Sequence, residues 1–239
     1  MVRDLGIIEC IGDGWDRYKV NLGIATGGLL LYFLIVAIGS FIPIIKFVFG
    51  FVIAPALAGG LYLFFLNVAQ NQNPRIEDLF DGFHRFMPLL GLQWLATLVG
   101  VAVMIPGIIA LFFIIGGSKM TIAVGICIIG INLFFLIWLI TRYSMVYFIL
   151  MEDRQILLFD ALRKSADLTR GNAHNLFLLG LVSGIICAAA TLCLIVPVIF
   201  AAPALHTAYA MAYLKLKEYA AESGAGVIAM DQPTNPVVG

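Results

Sequence analysis

The sequence predicts an all-α integral membrane protein: six transmembrane helices in three hairpins, with amphipathic helices on the cytoplasmic face. Three observations carry that expectation. Of 239 residues, 62% are hydrophobic and only 12% charged, about half the roughly 25% charged share of a soluble domain. Six apolar runs approach the roughly 20 residues that cross a hydrocarbon core as a helix. The remaining charges fall almost entirely in alternate connections between those runs.

The chain opens with polar sequence. Leu5, Ile8, Ile11, Trp15, Tyr18 and Leu22 recur in steps of three and four, one stripe on a helix, while Asp4, Asp13, Asp16, Arg17 and Lys19 lie mostly elsewhere. This segment either lies on the bilayer, with Trp15 and Tyr18 at headgroup level, or packs on the protein's own cytoplasmic face. Its acids are chemistry that a cleavable signal peptide lacks. The first span is expected over 23–41, stopping at Pro43, whose fixed φ and missing N–H favour a boundary. The second covers 47–68 and ends in the polar run Gln70-Asn71-Gln72-Asn73-Pro74. A second amphipathic helix follows from Arg75 to Met87, with Ile76, Leu79, Phe80, Phe83 and Phe86/Met87 on one face.

Pro88 opens the third span, 88–105, closed by Pro106-Gly107. Residues 108–117 stay apolar up to Gly116-Gly117, and either extend that helix or form an outer segment. The fourth span, 121–145, places Arg142 where it can snorkel to the interface. Next comes a polar island, Glu152 to Asn172, containing a third amphipathic helix. Leu158, Ala161/Leu162, Ser165 and Leu168 lie on one side of it, and Asp160, Arg163, Lys164, Asp167 and Arg170 on the other. Spans five and six cover 176–196 and 198–213. The whole of 1–222 reads as one transmembrane domain, followed by a disordered tail over 223–239 rich in Gly and Pro.

Orientation follows from charge. With the N-terminus inside, 12 of the 14 Lys and Arg fall on inner segments, and only Lys46 and Lys119 fall outside. That is a strong positive-inside bias and puts both termini in the cytoplasm. A weak internal repeat supports three hairpins. Leu79-Phe80-Asp81-Gly82-Phe83 is echoed by Leu158-Phe159-Asp160-Ala161-Leu162, and Ala54-Pro55-Ala56-Leu57 by Ala202-Pro203-Ala204-Leu205.

Pro106-Gly107, Arg142-Tyr143-Ser144, Glu152, Ala161-Leu162-Arg163-Lys164-Ser165 and Leu168-Thr169-Arg170-Gly171-Asn172 together resemble a bacterial multi-pass family. It comprises the membrane domain fused to some glycerophosphoryl diester phosphodiesterases and the YciC-like uncharacterised inner-membrane proteins. The resemblance covers most of residues 10–220, with its sharp part near Arg142–Asn172. It implies the fold and the bacterial inner (cytoplasmic) membrane. The chain carries extra apolar sequence between Gly107 and Arg142 and no phosphodiesterase domain, so no hydrolase activity carries over.

The candidate chemistry is sparse. Net charge is zero, and without a basic cluster with interleaved aromatics nucleic acid is not an expected partner. Cys10, Cys127, Cys187 and Cys193 show no metal-ligand spacing, and no metal, cofactor or catalytic residue is expected. Ionisable groups at mid-membrane mark ion pathways, yet no acid or base lies deep in a span. The possible intramembrane polar site is Asn132 with His206. The possible lipid or partner contacts are Trp15, Arg17, Lys19, Arg85, Arg142, Arg163, Lys164 and Arg170, cations and an aromatic at interfacial depth. Asp160 and Asp167 can pair with the cations of their own helix. His84 and His174, beside acids at the inner interface, read as solvated. Small residues four apart (Gly180, Gly184, Ala188; Ala204, Ala208, Ala212) suit close helix packing or a homodimer seam.

These features predict a non-enzymatic inner-membrane protein that organises phospholipids or partner membrane proteins through its cytoplasmic face, as an accessory subunit of a larger complex. The alternative is a transporter or permease component using Asn132 and His206.

Overall fold

Residues 5–41, 43–115, 118–192 and 195–222 are described in the computed structural model. The tail expected over 223–239, the break expected at Gly116-Gly117 and Cys193 lie outside them. Every regular element among the described residues is helical, and six helices are long and apolar enough to cross a membrane. The chain is accordingly a multi-pass membrane protein.

Helix α1 (Ile7–Val20) runs into α2 (Leu22–Phe41). A short α3 (Pro43–Val48) passes through one π-helical turn, Phe49–Ile53, into α4 (Ala54–Gln70). Asn71, in the left-handed region at φ 56°, caps α4, where a side-chain amide tolerates that conformation better than most residues. A 3₁₀ segment, Ile76–Arg85, feeds directly into α5 (Phe86–Ile115). After α6 (Lys119–Tyr143) the chain bends at Ser144-Met145 into α7 (Val146–Glu152). Helices α8 (Leu158–Leu168), α9 (Ala173–Leu192) and α10 (Ile195–Glu222) complete it.

The buried centre lies around α4, α7 and α10, where Phe64, Phe65, Phe148, Ile149, Leu150 and Tyr213 are sealed. Tyr62 stacks on Tyr147 with ring centroids 4.7 Å apart, and Phe148 stacks on Tyr213 at 5.2 Å. Helices α5 and α6 pack chiefly on each other and turn most of their apolar side chains outward. In water such a surface would drive aggregation. Against acyl chains it is the expected exterior.

Three expectations are corrected. The stripe read for α1 is only part of the face that packs: Leu5 and Tyr18 are buried and Ile11 packs on the core, but Ile8 and Trp15 do not. Cys10, Gly14 and Tyr18 are buried, whereas Ile8 is 87% and Trp15 45% exposed. Gly14 decides this: a Cβ there would lie 2.6 Å from the Ala208 Cα, so α1 meets α10 backbone to backbone.

The surface helix expected over Arg75–Met87 is a 3₁₀ segment continuous with α5, and Pro88 stands in the first turn of that helix. With three residues per turn, Leu79 and Gly82 share the buried face, while Ile76, Phe80, Phe83 and Met87 are exposed. A Cβ on Gly82 would collide with the Ala56 carbonyl, and one on Gly60 with the Leu79 carbonyl.

The third helix does not stop at Ile105. It continues through Pro106 to Ile115, so residues 108–115 extend it. Proline denies the Ala102 carbonyl its donor. One residue along, the Asn132 amide of α6 donates to the Val103 carbonyl at 2.7 Å. Neighbouring polar side chains are one way membrane helices tolerate an internal proline.

Candidate functional site

The polar groups gather at one end of the helices, where α4, α6 and α10 finish and α5 and α9 begin. Asn67 on α4 donates to the Asp78 carboxylate at 2.8 Å, and the Arg75 N–H donates to the same oxygen at 3.0 Å. This fixes the start of the 3₁₀ segment. Arg85, at its other end, donates to the carbonyls of Asp153, Arg154 and Ile156, the last at 2.8 Å. One guanidinium thereby closes the non-helical turn between α7 and α8, supplying donors that an ammonium cannot fan out in one plane.

Helix α8 is seated by its hydroxyls. Ser165 and Thr169 are buried and donate to the Arg142 carbonyl at 3.1 and 3.3 Å. Gly171 turns the chain at φ 93°, and the Asn172 side-chain oxygen accepts the Leu5 N–H at 3.0 Å, tying the N-terminal segment to the start of α9.

On α10, Tyr213 donates to one oxygen of Glu152 and Lys217 to the other, both at 2.6 Å. Lys215 lies 2.8 Å from Asp13 and 3.5 Å from Glu9. These bonds hold α1, α7 and α10 as one unit. Near Lys215 the Cys10 thiol is pushed above its usual range, chiefly by burial and against the pull of the Lys215 charge.

The candidate contact residues divide into those already engaged and those left free. Lys19 pairs with Asp16 at 2.8 Å. Arg85 is spent on the turn. Arg142 lies over the Trp138 ring at 5.5 Å, a cation–π contact. Among the described residues, Arg17, Arg142, Arg163, Lys164 and Arg170 form no ion pair. Asp160 and Asp167 therefore do not bind the cations of their helix, against the intrahelical pairing that the spacing allowed. His84 lies 3.4 Å from Asp81, and His174 is exposed.

Asn132 and His206 are not brought together. Asn132 faces α5, in a cleft of about 440 Å³ otherwise lined by Leu98, Val99, Ala102, Pro106 and Phe135, with its amide spent on Val103. His206 lies tilted against the Phe65 ring of α4, centroids 5.0 Å apart, and bonds the Ala202 carbonyl at 2.8 Å. A second cleft, of about 360 Å³, opens between α6, α9 and α10.

The sequence reading missed the Glu152–Tyr213–Lys217 cluster and the Arg85 turn closure. Neither has a local signature, since 61 and about 70 residues separate the partners.

The chain matches over residues 20–220 a family described as "Protein of unknown function (DUF975)". No curated protein and no solved structure matches it.

Proposed function

The chain belongs to the DUF975 family, and from that premise we propose that it is a non-enzymatic inner-membrane protein. It engages anionic phospholipid, or partner membrane proteins, through its polar end. In this reading the six spans form three hairpins, the polar end faces the cytoplasm with both termini, and α1, the 3₁₀ segment and α8 lie at the interface. Kinship to the membrane domain of glycerophosphoryl diester phosphodiesterases is part of this proposal, resting on the Arg142–Asn172 motifs, and brings no hydrolase activity with it.

One observation carries the reading: among the described residues Arg142, Arg163, Lys164 and Arg170 stay free of ion pairs while neighbouring polar groups are consumed in holding the end together. Each such cation near an anionic leaflet contributes about 1 kcal/mol. The transporter alternative is weaker because Asn132 and His206 are both engaged with backbone carbonyls of different helices.

The test is mild-detergent purification with crosslinking and lipid extraction. Anionic phospholipid or a defined partner should co-purify, and the combined R163Q, K164Q and R170Q variant should reduce the yield severalfold. Recovery of neither would end the proposal.

A further inference from the structure

The cleft between α6, α9 and α10 has a mixed chemistry. Its apolar walls are Ile137 and Ile140 of α6 and Phe177 and Leu181 of α9. Its hydroxyls come from Thr141 and Ser144, at the polar end of α6, and from Tyr209, which reaches the level of Gly180 on α9. The hydroxyls of Thr141 and Ser144 are already given to the carbonyls of Ile137 and Thr141. That of Tyr209 has no hydrogen-bond partner among the described residues. It lies over α9 where a Cβ on residue 180 would come within 2.7 Å of it, so Gly180 leaves the phenol room. A phenol facing hydrocarbon without an acceptor is costly. It needs something that fills an apolar slot and carries an oxygen.

Depth identifies that oxygen. Tyr209 sits one turn, about 6 Å, deeper along α10 than Tyr213, whose partner Glu152 belongs to the polar end. The polar layer of a bilayer is roughly 5–8 Å thick on each side, which sets Tyr209 at the ester carbonyls of a glycerolipid. Cations stand above it. Thr169 bonds the Arg142 carbonyl, so Arg170, the next residue, lies beside the end of α6 together with Arg142. Neither is ion-paired among the described residues, and Arg142 lies over the Trp138 ring. The acids nearby are Asp167 and Asp160 on α8, whose segment still sums to a positive charge once Arg163, Lys164 and Arg170 are set against them.

We propose that this cleft is a binding site for one anionic glycerophospholipid. An acyl chain lies between Ile137, Ile140, Phe177 and Leu181, an ester carbonyl accepts the Tyr209 hydroxyl, and the headgroup phosphate meets Arg142 and Arg170. The volume of about 360 Å³ lies within the roughly 300–1,000 Å³ of small-molecule sites, enough for one chain and not for a whole lipid. This inference rests on the interfacial lipid reading and gives it a place and a stoichiometry.

The test is native mass spectrometry of the full-length protein in mild detergent, titrated with phosphatidylglycerol or phosphatidylethanolamine. The wild type should retain one phosphatidylglycerol under activation that strips other lipids, and should prefer it several-fold over phosphatidylethanolamine. Tyr209→Phe, which removes one oxygen, should lower retention by roughly three- to tenfold. Gly180→Phe and Ile140→Trp fill the slot from opposite walls, and each should abolish retention, with circular dichroism and elution volume reporting that the variants fold. Ala102→Phe, in the other cleft, should leave retention unchanged. Equal retention by Tyr209→Phe and the filling variants, or no preference for the anionic lipid, overturns the site while leaving the broader reading standing. No retained lipid on the wild type overturns both.

Discussion

Tyr213 gives its hydroxyl hydrogen to Glu152 at 2.6 Å, while Lys217, one helical turn further along α10, takes the other carboxylate oxygen at the same distance. One half-buried acid thus joins α7 to two successive turns of α10. Glu152→Ala should strand a phenol and an ammonium, and cost about 2–4 kcal/mol. Tyr213→Phe should cost only about 1 kcal/mol, because the carboxylate keeps its lysine. Thermal unfolding in detergent checks the order, which fails if the two variants unfold together.

Arg85 closes the turn after α7 with bonds to three carbonyls. Bonds from a charged donor contribute about 1.5–3 kcal/mol. Arg85→Lys should therefore raise amide exchange across Asp153–Leu157 at least tenfold while leaving α5 and α6 protected. Exchange at wild-type rates would show that the turn holds itself.

The seat for the 3₁₀ segment tolerates no side chain. Gly60→Ala and Gly82→Ala should each destabilise by more than about 2 kcal/mol, since each Cβ would meet a backbone carbonyl with nowhere to move. Gly100→Ala, where a Cβ meets nothing within 4 Å, should be neutral or stabilising by up to about 1 kcal/mol. The comparison separates close approach from helix propensity.

Cys10 supplies a pH dependence. Burial pushes its thiol up, so the thiolate that reacts with maleimide is scarcer at pH 7 than in the unfolded chain. Native labelling should be slow at pH 7, accelerate beyond pH 9, and become fast at both in sodium dodecyl sulfate. The sign for stability follows. The neutral thiol is favoured in the fold, so its contribution is present below the unfolded pKa and lost as pH rises through the folded one. Uniform labelling rates across these conditions would contradict the burial.

Much of the architecture was legible because a bilayer imposes a length and a composition, and both are readable without knowing a single contact. The order of apolar helices and the polar island from Glu152 to Asn172 came from that. What escaped depends on contacts. Pro106 looks like a stop because the rule is framed for helices in water, and the donor from Asn132 that eases the passage lies 29 residues from Val103. The buried face of α1 was read only in part, through Leu5, Ile11 and Tyr18, because Ile8 and Trp15 look like core, whereas Gly14, the residue that permits contact with α10, looks like a weakness. The freedom of Arg163 and Arg170 could not be read from spacing, which offered Asp160 and Asp167 as partners.

The echoed Ala-Pro-Ala-Leu runs occupy matching places. Gly60 stands six residues after Ala54, and receives the 3₁₀ segment. Ala208 stands six after Ala202, and receives α1. The two docking events nevertheless differ in time. The 3₁₀ segment leaves the ribosome just behind α4 and can settle at once. Helix α1 is synthesised nearly two hundred residues ahead of its berth on α10, and must wait at the membrane surface for seconds at ordinary elongation rates of about 5–20 residues per second. Closure of the molecule is thus deferred until α10 has been made.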